Sequence, residues 1–91
     1  MQVTADEVKE LLKKLIEESI SPEEVAQWAV IRMQANDEDQ LEFLPENEYL
    51  QIWDTLLYFS GVDLKMAPDS EYFHGKNNFI QKLYEIWGEQ L

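Results

Sequence analysis

The chain has 91 residues, enough for one small domain with a modest core, and its 45% hydrophobic and 12% aromatic content argues against disorder. Nineteen acidic residues against seven basic ones give a formal net charge of −12, a sign that repels DNA, RNA and anionic lipid, so direct nucleic-acid binding is not expected. With no cysteine, no signal-peptide pattern and no run near the roughly 20 apolar residues of a membrane span, disulfides, thiolate chemistry and membrane insertion are excluded and a cytoplasmic location is expected.

Helix signals run along most of the chain. "VTADEV" and "ISPEEV" use one device twice: Thr4 and Ser21 stand as N-caps, with Glu7 and Glu24 three residues on to close a capping box. Val3 with Val8, and Ile20 with Val25, occupy the two positions of a hydrophobic staple. Pro22 fits the first helical position and holds Ser21 out of the helical region, so the first helix stops by about Ile20. That helix carries Val8, Leu11, Leu12, Leu15 and Ile16 on one face, while Lys9, Lys13 and Lys14 lie among Glu10, Glu17 and Glu18 as a mixed solvated face. The second offers Val25, Trp28, Ala29 and Met33, with Arg32 placed to lie over the Trp28 indole.

A third helix begins near Pro45 to Asn47 and ends by Ser60, before Gly61. Its apolar residues, from Tyr49 and Leu50 through Ile52, Trp53, Leu56, Leu57 and Phe59, wrap most of the circumference, which marks it as the central helix. Residues 61–75 hold two glycines and Pro68 without a sustained period and read as an ordered loop; a last helix follows from about Lys76, facing Phe79, Ile80, Leu83, Ile86 and Trp87 inward. With no strand signal of any length, the expected fold is all-α: a compact four-helix bundle in one domain, residues 1–91.

Catalytic residues are scarce. His74 is the sole histidine, and nothing ties it to Ser60, Ser70 or an acid as base and nucleophile, so it reads as a solvent-facing or helix-capping side chain and the protein as no enzyme. Asp37, Glu38 and Asp39 resemble the start of a calcium loop, but Leu41 occupies the third ligand position and no turn glycine follows, so neither a metal nor any other cofactor is expected.

The distribution of charge is more informative. Between Arg32 and Lys65 there is no basic residue, while "NDEDQLEFLPENEY" alone carries Asp37, Glu38, Asp39, Glu42, Glu46 and Glu48 together with Leu41, Phe43, Leu44 and Tyr49. One reading is a polar covering that serves solubility. The other is a partner-binding surface for a basic protein, with Phe43 and Tyr49 as apolar anchors inside the acidic rim formed by those six carboxylates.

An acidic chain that opens with "LLKKLIEESISPEEVAQWA", continues through an acidic link and an aromatic third helix, and closes with "SEYFHGKNNFIQKLYEIW" resembles the small helical immunity proteins encoded beside bacterial toxins of the colicin and contact-dependent inhibition type. The resemblance implies a stoichiometric inhibitor that covers a cognate basic, nuclease-type toxin domain with its carboxylates. Alternatives are a phage-type nucleic-acid mimic or anti-CRISPR inhibitor, and an acidic adaptor protein.

Overall fold

The computed structural model describes residues 1–64 and 75–89; the loop assigned to residues 61–75 falls largely outside them, as do His74 and Lys65. The chain runs β1 (Gln2–Thr4), α1 (Ala5–Ile16), α2 (Pro22–Asp37), β2 (Glu42–Leu44), a 3-10 turn (Glu46–Glu48), α3 (Tyr49–Ser60) and α4 (Lys76–Trp87). Four helices dominate, as expected. The fold is nonetheless mostly α and not purely α, because β1 and β2 pair in parallel with Gln2 opposite Glu42, Val3 opposite Phe43 and Thr4 opposite Leu44. Parallel strands need a crossover between them, and the α1–α2 hairpin supplies it.

Both helix starts form where the caps place them. The Glu7 amide donates to Thr4 Oγ1 at 3.0 Å and the Thr4 amide to a Glu7 carboxylate oxygen at 3.1 Å, which closes the first box. At Ser21 the box is half made: the Glu24 amide donates to Ser21 Oγ at 3.2 Å, but the Glu24 carboxylate takes the Ser21 hydroxyl at 3.1 Å.

α3 ends at Ser60 as expected, and α1 stops at Ile16, within the expected limit of about Ile20, because Glu18 adopts a left-handed φ of 60° and the Ser19 amide reaches back to the Lys14 carbonyl at 2.9 Å. α2 closes identically: Asp39 has φ 57°, and the Gln40 amide donates to the Ala35 carbonyl at 2.8 Å. Both are Schellman closures with an acid where glycine is usual.

The core lies between two helix pairs, α1 on α4 and α2 on α3. It is filled by Val3, Val8, Leu12, Leu15, Val25, Ala29, Ile52, Leu56, Phe59, Val62, Phe79 and Leu83. Phe59 meets the Trp28 ring edge-on at 6.4 Å. As expected, α3 touches the other three elements that matter most, α1, α2 and α4, but its apolar circumference is not all covered: Tyr49, Leu50 and Leu57 stay exposed. The Arg32 guanidinium carbon sits over the Trp28 indole, 3.9 Å from its centre, and Arg32 donates to the Trp28 carbonyl at 3.1 Å. Burial lowers the Arg32 pKa, and the charge of Glu7 opposes that shift.

Candidate functional site

The acidic segment is structured along its length. Asp37 ends α2, Glu38 caps it and Asp39 makes the left-handed turn; all three are exposed. They gather at the negative end of a helix macrodipole with no cation in the last turn, an arrangement that costs stability. Glu42 and Phe43 belong to β2, where Gln2 Nε2 donates to Glu42 Oε2 at 3.2 Å. Glu46 and Glu48 sit in the 3-10 turn, Glu48 half-buried, and Tyr49 opens α3.

Of these residues, the fold brings together Glu42, Phe43, Glu46 and Tyr49, which with Leu41 line an open cleft of about 460 Å³. Asp37, Glu38, Asp39 and Glu48 do not join them. The Phe43 ring packs edge-on against Tyr49 at 4.9 Å and Trp53 at 6.3 Å, so its grease serves to fasten β2 onto α3. Tyr49 is the more exposed of the two expected anchors. Among the described residues no group of three or more His, Cys, Asp or Glu side chains is placed to hold a metal ion.

A second surface was not singled out by sequence reasoning. α1 carries Asp6, Glu7 and Glu10 against Lys9, Lys13 and Lys14 and is neutral; α2 and α3 are net negative; α4, with Lys76 and Lys82 against Glu85, is the one described helix that is net positive. Its first turn holds no acid. The Gly75 amide at the N-cap donates to Asn78 Oδ1 at 2.9 Å, which fixes the helix start.

Phe79 and Leu83 point inward, leaving Asn77, Asn78, Gln81, Tyr84 and Glu85 along the outer face. Gln81 Nε2 donates to Glu85 Oε1 at 2.8 Å, and Lys82 Nζ lies 3.3 Å from Glu85 Oε2 and 5.4 Å from the centre of the Tyr58 ring. Lys76 stands exposed with no ion pair among the described residues. Lys9 and Lys13, by contrast, both close on Glu89 at 3.2 Å, and their hydrogen bonds lower the Glu89 pKa. The signal in the sequence was "KNNFIQKLY", a run of amides and lysines in which no acid appears.

The chain belongs to the YxzC DNA-binding protein family, whose model matches residues 2–87. No curated protein and no solved structure matches it. Membership of a family so described overturns the resemblance to immunity proteins and with it the inhibitor role, the basic toxin partner, and the mimic and adaptor alternatives. That resemblance rested on layout and charge, which unrelated acidic helical domains share. The exclusion of direct nucleic-acid contact is corrected as well. It treated −12 as a property of every face, whereas charges more than a Debye length of roughly 8–10 Å away are largely screened and α4 carries an excess of lysine.

Proposed function

We propose that this YxzC-family chain acts at DNA as a non-enzymatic binder and presents the outer face of α4 to the duplex. The observation that carries the reading is the family match, which spans α4 from end to end. Charge selects the face, since α4 alone among the described helices has more lysine than acid. Asn77 and Gln81, four residues apart on that face, bear the amides that pair with adenine N6 and N7 in the major groove. Lys76 stands at the helix N-terminus, where unpaired amides and the macrodipole favour a phosphate.

No described helix is long and apolar enough to cross a membrane. The location that goes with this role, and with the absence of cysteine, is cytoplasmic.

Fluorescence anisotropy with a labelled duplex of about 20 base pairs tests the reading. Wild type should bind at about 100 mM salt, and Lys76→Ala with Asn77→Ala and Gln81→Ala should weaken binding by roughly tenfold or more while leaving the circular dichroism spectrum unchanged. Failure of wild type to bind any duplex at high micromolar protein would overturn the role. Unchanged binding by the triple variant would overturn the face.

A further inference from the structure

Lys9 and Lys13 stand one turn apart on α1 and share one counterion from beyond the end of α4. Lys9 Nζ lies 3.2 Å from Glu89 Oε2 and Lys13 Nζ 3.2 Å from Glu89 Oε1, so each oxygen of a single carboxylate has its own ammonium. Asp6, Glu10 and Glu17 lie three or four residues from these lysines, yet among the described residues both pair with Glu89 and with none of them. The cluster gathers where α1 packs on the C-terminal end of α4: Lys9 Nζ is also 5.1 Å from the centre of the Trp87 ring, and Gly88, with a left-handed φ of 67°, ends the helix just before Glu89.

Two ammonium groups that bracket two oxygens of one anion suit a phosphate as well as a carboxylate, since lysine binds either as a point charge. We infer that Lys9 and Lys13 form a backbone-phosphate site for DNA, and that Glu89 occupies it as an internal competitor that a docking duplex displaces. The inference rests on the proposed DNA role and extends the contact from α4 to α1. At 1.5 Å per residue the 12 residues of α4 span about 18 Å, more than the roughly 12 Å width of the major groove. A helix laid across that groove therefore has one end near each strand, Lys76 at its start and the Lys9–Lys13 pair beside its finish. Glu89 is held loosely enough to leave: its side chain is 35% exposed, and exposed ion pairs contribute little. While it stays, it cancels one of the two lysine charges.

Glu89→Gln keeps the shape of the competitor and removes its charge. By anisotropy at about 100 mM salt it should bind a duplex of about 20 base pairs severalfold more tightly than wild type, with a log–log salt slope steeper by about 1, and adding Lys9→Gln and Lys13→Gln to the same chain should abolish the gain. Glu10→Gln removes the same charge from α1 without freeing a lysine and should change affinity less than about twofold. A second readout needs no DNA: the Trp87 indole N–H, recognised in a proton–nitrogen NMR spectrum as the peak lost in Trp87→Phe, reports on the ring beside Lys9. Millimolar inorganic pyrophosphate should shift that peak in Glu89→Gln and leave it in place once both lysines are also replaced. A Glu89→Gln chain that binds DNA no better than wild type or Glu10→Gln overturns the inference even where the α4 variants behave as proposed, and so does a gain that survives loss of both lysines. A pyrophosphate shift with no duplex binding by any chain overturns DNA as the source of the phosphate, and with it the DNA role.

Discussion

Thr55 is the one polar residue buried among the described residues, and it joins α3 to α4. Its hydroxyl donates to the Gln51 carbonyl at 2.7 Å and accepts from the Trp87 indole N–H at 3.0 Å. Thr55→Val keeps the shape but strands the indole donor, so urea unfolding should show a loss of about 1–3 kcal/mol, most of it restored in Thr55→Ser. A loss below about 0.5 kcal/mol would mean that the bond is not made in solution. Tyr58 gives a test by pH. Burial, then the charge of Glu85, pushes its phenol up to about 12. The folded state therefore holds that proton more tightly than the unfolded chain, whose tyrosines titrate near 10: the contribution is fully present below about pH 10 and is lost as pH rises towards 12. Absorbance of phenolate near 295 nm should resolve one tyrosine titrating well above an ordinary one, and Tyr58→Phe should remove that step. Glu89 has the opposite sign, its Lys9 and Lys13 partners adding stability that is lost as pH falls through its lowered pKa.

At the scale of elements, what the sequence shows is what local chemistry decides. Thr4 and Ser21 announce helix starts because a cap needs only the next three residues, and the inward residues of α1 and α4 follow from spacing alone. The sheet is not legible. Each strand is three residues long, too short for an alternating pattern, and the partners lie forty residues apart. The closing residues of α1 and α2 are not legible for another reason: glycine or asparagine marks a left-handed closure, and here Glu18 and Asp39 take that conformation instead. A side chain there costs about 1–2 kcal/mol, part of which glycine returns to the unfolded state as entropy, so Glu18→Gly and Asp39→Gly should each raise stability by about 0.5–1 kcal/mol. Chemical denaturation of the two single variants checks this. Destabilisation of either would show that the carboxylate makes a compensating interaction.

At the scale of the molecule, the acidic segment was conspicuous and the α4 face was not, because carboxylates crowd one stretch of sequence whereas Lys76, Asn77, Gln81 and Tyr84 become one surface only on a formed helix. Part of the grease beside those carboxylates is structural, since Leu41 and Phe43 pack against the core, Phe43 onto Trp53, while Tyr49 stays exposed. Net charge then governs how DNA is met. At about 10 mM salt the Debye length is roughly 30 Å, comparable with the 37 × 29 × 19 Å extent of the protein, so a duplex feels every carboxylate; at about 150 mM it is roughly 8 Å and the duplex feels mainly the face it touches. For the proposed α4 contact, salt therefore has two opposed effects, relief of repulsion from the whole chain and weakening of a Lys76–phosphate pair. With one or two phosphates neutralised, the second effect gives a slope of only about −1 to −2 in log affinity against log salt, against about −10 for a strongly basic repressor. Affinity for duplex DNA should pass through a maximum at intermediate salt. Asp37→Asn, Glu38→Gln and Asp39→Asn together remove three negative charges at the end of α2, outside α4 itself, and should raise affinity severalfold at about 10 mM salt yet change it less than about twofold at about 150 mM. Anisotropy titrations across that range measure both curves, and a steep fall in affinity from the lowest salt upward would show that DNA is held by many lysines and not by the sparse set on α4.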